Sequence, residues 1–491
     1  MTDLLRILAI AVPGIPGLAA LCCLVPGGPA RSDRVLVAAG AVGGLAGLVC
    51  GIWVLARGAD ALEGGWYVID APAGLFTLVI AGVAGISCIL SPQYLARATR
   101  SGMGAEAARR YYATAMLGFW AVLAAVPFCG NMGLGWLLLE ATTAASALLV
   151  SFSGGRSALE AGWKYLILTS SGLAVALLGI VLLVVSGTTT GAGIGSLDFA
   201  SLREAGTGGG DLAATAAVLI IAGMASKAGW APVHNWLPDA HSEAPPPVSA
   251  VLSAALLPTV ALQVWRTVEA LSPAVGEGLF RHLLGGIGLA SLAVAVPFLW
   301  RPMAWKRFLA YSSLEHMGVI AIGIAMQNDL AAAGVCIHVA GHAAAKALGF
   351  WAATPLLRYQ PAAGRRPPRG LLRLDPTLAA SVIVSAGALS GLPPSPLFAS
   401  ELLVIAGAVQ AGAVAFAAVT AVLLALGFIG IIHVLIEAVP GRVDGRRPGG
   451  PGAMRPLQGA CLAALAAMGV LAALAFTVPD AAVALALLGG G

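Results

Sequence analysis

Charge is what this chain has least of. Asp, Glu, Lys and Arg make up 10% of its 491 residues, against roughly 25% in a soluble globular domain. Only four lysines occur, Lys164, Lys227, Lys306 and Lys346. Cysteine is sparse too: of seven, only Cys22 and Cys23 stand together. The absence of a CxxC pair or Cys/His ligand cluster argues against an iron–sulfur cluster, zinc or haem. A Gly-rich phosphate loop after a strand is missing, and so is a nucleophile elbow. The chain is therefore expected to be non-catalytic, with no metal and no cofactor of its own. Redox or hydrolytic chemistry would belong to a partner.

What fills the sequence is apolar. Hydrophobic residues account for 59%, and runs of ~20 residues, enough to cross a hydrocarbon core ~30 Å thick, recur throughout. The expected fold class is an all-α polytopic membrane protein. Candidate spans, 14 in number, lie near 4–25, 34–56, 72–95, 109–128, 132–151, 162–187, 211–230, 245–268, 280–300, 308–327, 331–357, 377–411 (long and interrupted), 414–438 and 456–477. The first is followed by more membrane sequence, so it is expected to be retained and not cleaved as a signal. Loops after odd-numbered spans carry 20 basic residues, and those after even-numbered spans only Arg57, Arg203, Arg266 and Arg281. That bias puts the odd loops in the cytoplasm and both termini outside a bacterial or archaeal cell membrane. Basic charge is thus explained by topology, without nucleic acid.

Some charges fall inside spans. Lys227 and Lys346 do, as do Glu140 in WLLLEAT and Glu401 in PLFASELL, while Glu315 and His316 lie a turn or two inside the tenth span. An ionised group at mid-bilayer costs at least ~2.5–3.5 kcal/mol on insertion scales, so such residues are usually functional, although each could also snorkel or brace the fold. Lysine, unlike arginine, can shed its proton when desolvated, and a Lys–Glu pair in low dielectric titrates as a coupled unit. Glu140 and Lys227 are expected to form such a pair. His338, His342 and Lys346 recur every four residues in CIHVAGHAAAKALGF, which stacks them on one helix face over roughly 12 Å as a candidate relay. His433 and Glu437 repeat the spacing nearer an interface, where a surface pair fits equally well.

Two spans are broken. Gly229, Pro232 and Pro238 follow Lys227; Gly391, Pro393, Pro394 and Pro396 precede Glu401. Proline removes a helical donor, and irregular backbone at depth is tolerated only inside protein or beside a water-filled cavity. Paired breaks five spans apart suggest an inverted-repeat transporter, with Lys227 and Glu401 at related positions. The expected organisation is three N-terminal helices in 1–108, a first inverted repeat of helices 4–8 in 109–271, a second of helices 9–13 in 272–440, and a cytoplasmic loop with helix 14 in 441–491.

The stretch SKAGWAPVHNWLPDAHSEAPPPVSAVLSAALL resembles the signature of the antiporter-like membrane subunits of respiratory complex I, Mrp-type cation/proton antiporters and membrane-bound hydrogenases. The likeness runs from about residue 70 to 440. WLLLEAT matches the family's fifth-span glutamate, CIHVAGHAAAKALGF its eleventh-span His/Lys segment, and GLPPSPLFASELL its broken twelfth span. AYSSLEHMG and EAGWKYLIL look most like the F-type branch of the hydrogenase-4 membrane subunits. The resemblance implies a fourteen-helix fold, proton translocation driven by a redox partner, and two half-channels joined by a polar axis through Glu140, Lys227, the eleventh-span residues and Glu401. One departure is Pro258, in ALLPTVALQVWR, where many relatives carry a second lysine; it puts the central relay in question. The long lateral helix of the largest complex I member is not expected here.

His234 and His241 are candidate proton inlets, Asp239 a candidate inlet residue or helix cap, and Trp230 and Trp236 packing residues. The expected function is a proton-translocating subunit of a membrane redox complex, with nickel–iron hydrogenase-like or complex I-like membrane and hydrophilic subunits as partners and lipid around it. The alternatives are an Mrp-type Na⁺/H⁺ antiporter, a subunit energising bicarbonate uptake, or an inert scaffold of a hydrogenase.

Overall fold

The computed structural model describes residues 2–57, 62–96, 102–186, 197–204, 210–356 and 369–440, with isolated positions 464, 467 and 470. Apolar sequence folds as helix here because lipid offers no partner to backbone N–H and C=O groups, so each segment must satisfy its own. The helices run α1 (Thr2–Leu24), α2 (Pro29–Arg57), α3 (Ala71–Leu95), α4 (Ala105–Ala125), α5 (Met132–Val150), α6 (Arg156–Val185), α7 (Phe199–Glu204), α8 (Gly210–Ala228), α9 (Trp236–Glu243), α10 (Pro246–Val251), α11 (Leu257–Val275), α12 (Glu277–Leu299), α13 (Trp305–Met326), α14 (Asp329–Leu356), α15 (Leu371–Leu374), α16 (Pro376–Leu389), α17 (Pro396–Gln410) and α18 (Val414–Ala438). A π turn, Leu252–Leu256, joins α10 to α11 into one span, and a hairpin of β1 (Leu62–Gly64) and β2 (Tyr67–Ile69) lies before α3.

Twelve helices among the described residues are long and apolar enough to cross a membrane. They match the expected spans one to eleven and thirteen. The interrupted twelfth span is two shorter helices, α16 and α17. The fourteenth, 456–477, lies outside the described residues apart from helical positions 464, 467 and 470. The most apolar stretch of the 246–275 span is 94% buried and that of α13 wholly so, which makes these two the centre of the bundle. Lipid tails are as apolar as leucine, so close helix packing here relies on small residues. Gly223 of α8 lies against Gly172 and Ala176 of α6, and Gly288 of α12 against Gly318 of α13; a Cβ at any of the four glycines would meet a neighbour.

Both breaks close in the same way. Gly229 (φ 72°) ends α8, with Gly229 N–H donating to Ser226 O (3.3 Å) and Trp230 N–H to Ala225 O (3.0 Å). Gly391 (φ 72°) follows α16, with Gly391 N–H donating to Ala388 O (3.0 Å) and Leu392 N–H to Gly387 O (3.1 Å). This is the Schellman closure, which needs a residue free to adopt positive φ and which satisfies carbonyls that no water would reach. α17 then restarts with Ser395 capping Phe398 N–H (3.2 Å) and Pro396 at its first turn.

The placement of basic residues departs from the expectation in one respect. Arg34, Arg109, Arg156, Lys164 and Lys306 sit within helix ends, not in loops, because their long side chains reach past the apolar zone. Arg266, expected in a loop, is 6% exposed inside α11. It donates to both carboxylate oxygens of Asp70 (2.9 and 3.1 Å) and to the carbonyls of Pro127 (2.8 Å) and Cys129 (2.9 Å). Asp70 in turn caps α3 through Ala73 N–H (2.7 Å). One guanidinium thus ties α3 and the end of α4 to the central span. Breaking a buried pair by removing one member costs about 3–5 kcal/mol. Arg266→Met is therefore expected to lower the thermal midpoint of the purified protein more than the Asp70→Asn, Arg266→Met double variant does, and additive losses in that cycle would show the pair uncoupled.

Candidate functional site

Lys227 occupies the last turn of α8 and is fully buried. Its ammonium donates to Thr143 Oγ1 (2.8 Å) and Tyr165 OH (2.6 Å), and lies 4.9 Å from the Tyr165 ring centre. Tyr165 OH also shares a hydrogen bond with Ser146 Oγ (2.7 Å), and its ring packs on Trp236 at 4.8 Å. Glu140, one turn before Thr143 on α5, instead accepts from Ser170 Oγ (2.6 Å), and its other oxygen is buried without a protein partner. Among the described residues the expected Glu140–Lys227 ion pair is thus not a direct one. Two helix turns set with hydroxyls stand between amine and carboxylate, because Thr143 and Tyr165 reach the amine first.

Beyond the break, Trp230 Nε1 donates to Met317 O of α13 (2.6 Å), and Ala231 N–H to Ser291 Oγ of α12 (3.0 Å). Trp236 Nε1 donates to Ser226 O (2.8 Å). Both tryptophans are therefore packing residues. Asp239 does not cap α9, which Asn235 begins without a side-chain cap bond. It pairs with Lys164 (3.2 Å) and Arg307 (3.3 Å), bridging α6 to α13. His234 is half-buried; His241 is fully buried against Phe350 (5.4 Å), with both ring nitrogens lacking a protein partner.

The remaining candidates converge. His316, His338, His342 and Lys346 are all fully buried. His316 Nδ1 and His338 Nε2 are 3.1 Å apart, and His338 Nδ1 is 2.9 Å from Ser400 Oγ. The His342 ring centre lies 5.1 Å from that of His316. Donor atoms of His316, His338 and Glu401 fall within 4.8 Å of one another. That makes them the one grouping among the described residues compact enough to surround a cation, and equally compact enough to share a proton. Glu401 leans over the second break: a Cβ at Gly391 would lie 2.6 Å from its Oε2. Glu315 turns away towards α18, where Gly427 leaves room for its carboxylate. Lys227 stands before its break and Glu401 in the second turn after its own, so the two are not in the same register as the sequence suggested. His433 is exposed, and Glu437 pairs with Arg369 (2.5 Å), a surface contact.

Besides leaving its position without a lysine, Pro258 has a backbone consequence. In the π turn before it, Leu257 N–H reaches back to Leu252 O. The next donor in that register would be residue 258, and proline has none. The Ser253 carbonyl, so released, faces His342 Nε2 at 3.4 Å. The Ser253 hydroxyl meets Ser313 Oγ (2.7 Å); Ser313 Oγ and Lys346 Nζ both donate to Leu309 O (2.9 and 2.6 Å). Lys346, Ser313, Ser253 and His342 thus form one polar row, in which the Leu309 and Ser253 carbonyls are the acceptors that Lys346 and Ser313, and then His342, share. Sequence reading missed these hydroxyls, and Thr143, Tyr165, Ser170 and Ser400 with them, since serine and threonine in apolar helices carry no distinguishing signal.

Broken helices flanked by buried lysines, histidines and carboxylates define an antiporter-like, multi-pass membrane subunit. Residues 129–427 match the family described as NADH:quinone oxidoreductase/Mrp antiporter, TM, and the chain belongs to that family. It is 30% identical over 347 residues to a hydrogenase-4 component F homolog of Methylacidiphilum infernorum, covering 70% of this chain and 73% of that one. It is 31% identical over 462 residues to NADH-quinone oxidoreductase subunit N of Rubrobacter xylanophilus, covering 91% and 92%. In fold it is similar to a chain of the Mrp complex from Dietzia sp. (TM-score 0.80, 20% identity, 98% and 97% covered) and to one of respiratory complex I from Thermus thermophilus (TM-score 0.72, 24% identity, 97% and 98% covered).

Removing a hydrogen-bond partner from a buried charge costs on the order of 2 kcal/mol. Tyr165→Phe is expected to destabilise the purified protein by about that much, and to have far less effect on a Lys227→Met background. Equal losses on the two backgrounds, read by thermal melts, would show that the hydroxyl does not serve the amine.

Proposed function

We propose that the chain moves protons across the membrane as a non-catalytic subunit of a hydrogenase-4-type or complex I-like assembly, whose other membrane and hydrophilic subunits supply the redox chemistry. The observation that carries this reading is the buried polar file from Lys346 through Ser313, Ser253 and His342 to His316, His338, Ser400 and Glu401. Histidines in contact can pass a proton by alternating which nitrogen holds it. Orphaned buried atoms of Glu140, His241, His316 and His342 would each cost roughly 1–3 kcal/mol if left dry, which supports water beside these residues. Moving one charge against 100 mV costs about 2.3 kcal/mol, within reach of exchanging one or two of these bonds.

In this reading residues 109–271 and 272–440 are the two inverted repeats, each holding one half-channel. The end rich in arginine and lysine, where Lys164, Asp239 and Arg307 meet, faces the cytoplasm, and both termini face outward. The Lys164–Asp239–Arg307 pairing then marks the cytoplasmic mouth near His234 and His241.

Lys227→Ala in the intact complex, assayed in membrane vesicles, is expected to abolish redox-driven proton uptake while electron transfer continues. Undiminished uptake would reject the assignment, and sodium-dependent proton flux by the isolated chain would assign it to cation antiport instead. Pro258→Ala restores an N–H that can recapture the Ser253 carbonyl. It is expected to lower proton flux several-fold with the fold intact, and unchanged flux would remove the π turn from the path.

A further inference from the structure

A cavity of about 740 Å³ opens where the β1–β2 hairpin, the start of α3, the end of α11 and the start of α14 meet. Besides Glu269, the charged groups that line it are Asp70, Asp198, Arg203, Arg266, Glu277 and Asp329, so acids outnumber bases among the described lining residues. Several are already engaged. Asp70 is held by Arg266, Asp198 accepts from Asn131 Nδ2 (2.8 Å), and Glu277 pairs with Arg281 (3.6 Å). Glu269 follows Arg266 by three residues and so shares its helix face. It is exposed to the cavity yet enclosed by protein, within electrostatic reach of Arg203 and Arg266.

The cavity floor is Gly323 and Ile324 of α13 with Ala332, Val335 and Cys336 of α14. Val335 packs directly against Gly323, where only a residue without Cβ fits. His338 and His342 follow Val335 by three and seven residues, which places all three on one face of α14. At 1.5 Å rise per residue, His338 lies only ~4.5 Å further along the axis. Val335, which lines the cavity, is thus one turn of α14 from the first histidine of the file.

We propose that this cavity is a water-filled vestibule serving the second half-channel, in which Glu269 exchanges protons with the aqueous phase at the hairpin face and Val335 against Gly323 forms the gate before His338. The last helix of the first half thus supplies the terminal acid for the second half. The step is a proton relay: an N–H bond breaks at His338, water carries the proton past Val335, and an O–H bond forms on Glu269, which then releases it. This inference rests on the proton-translocation reading above.

Cys336 provides a test in the otherwise native complex, with the other cysteines replaced. A membrane-impermeant maleimide is expected to label it from the hairpin side of sealed vesicles and not from the other side; no labelling from the hairpin side would show the cavity closed to water and overturn the proposal. Glu269→Gln is expected to lower proton translocation at least tenfold, with electron transfer and Cys336 labelling unchanged, and Glu269→Asp to stay within threefold of the native rate. Full translocation in Glu269→Gln, where Lys227→Ala abolishes it, would overturn the vestibule and leave the main reading standing. Full translocation in both would overturn the main reading and this one together.

Discussion

Backbone polar groups of this protein at bilayer depth must be answered from within, because a hydrocarbon core donates and accepts nothing. That constraint shapes both its backbone and its side chains. Where α8 and α16 stop short, positive-φ glycines fold the last N–H groups back onto otherwise orphaned carbonyls. Where lysine is buried, hydroxyls of Thr143 and Tyr165 or the carbonyl of Leu309 meet its ammonium. The cost of desolvating these groups is large, and the arrangement leaves titratable side chains a few ångströms apart in a medium that strengthens their mutual influence.

Much of the architecture is legible from hydropathy. Apolar run length alone places the spans, since bilayer thickness fixes how many residues a helix needs, and the glycine–proline clusters mark both breaks. The buried ionisable residues Lys227, His338, His342, Lys346 and Glu401 are equally visible, because each stands out against apolar neighbours. The connections between them are not. Periodicity within α14 aligns three residues on one face, but His316 joins them from α13 and Ser400 from α17. Which residues meet across helices depends on packing that one sequence does not display.

Two departures from expectation share a cause. Opposite charge suggests a direct Glu140–Lys227 pair, yet in a packed interior the amine takes the nearest oxygens in good geometry, which here are hydroxyls. Pro258 suggests an interrupted relay because it stands where many relatives carry a lysine. In a π register the missing N–H instead frees a carbonyl on the side facing His342. Local rules state correctly what a residue cannot do; its neighbours decide what it does.

Trp230 links the end of α8 to α13. Its indole holds the main-chain oxygen of Met317, next to His316, while its own peptide comes three residues after Lys227. With Ala231 N–H clipped to Ser291 as well, the unwound segment after α8 is latched onto α12 and α13. Any displacement at the end of α8 would therefore be felt in the turn that carries the imidazole of His316.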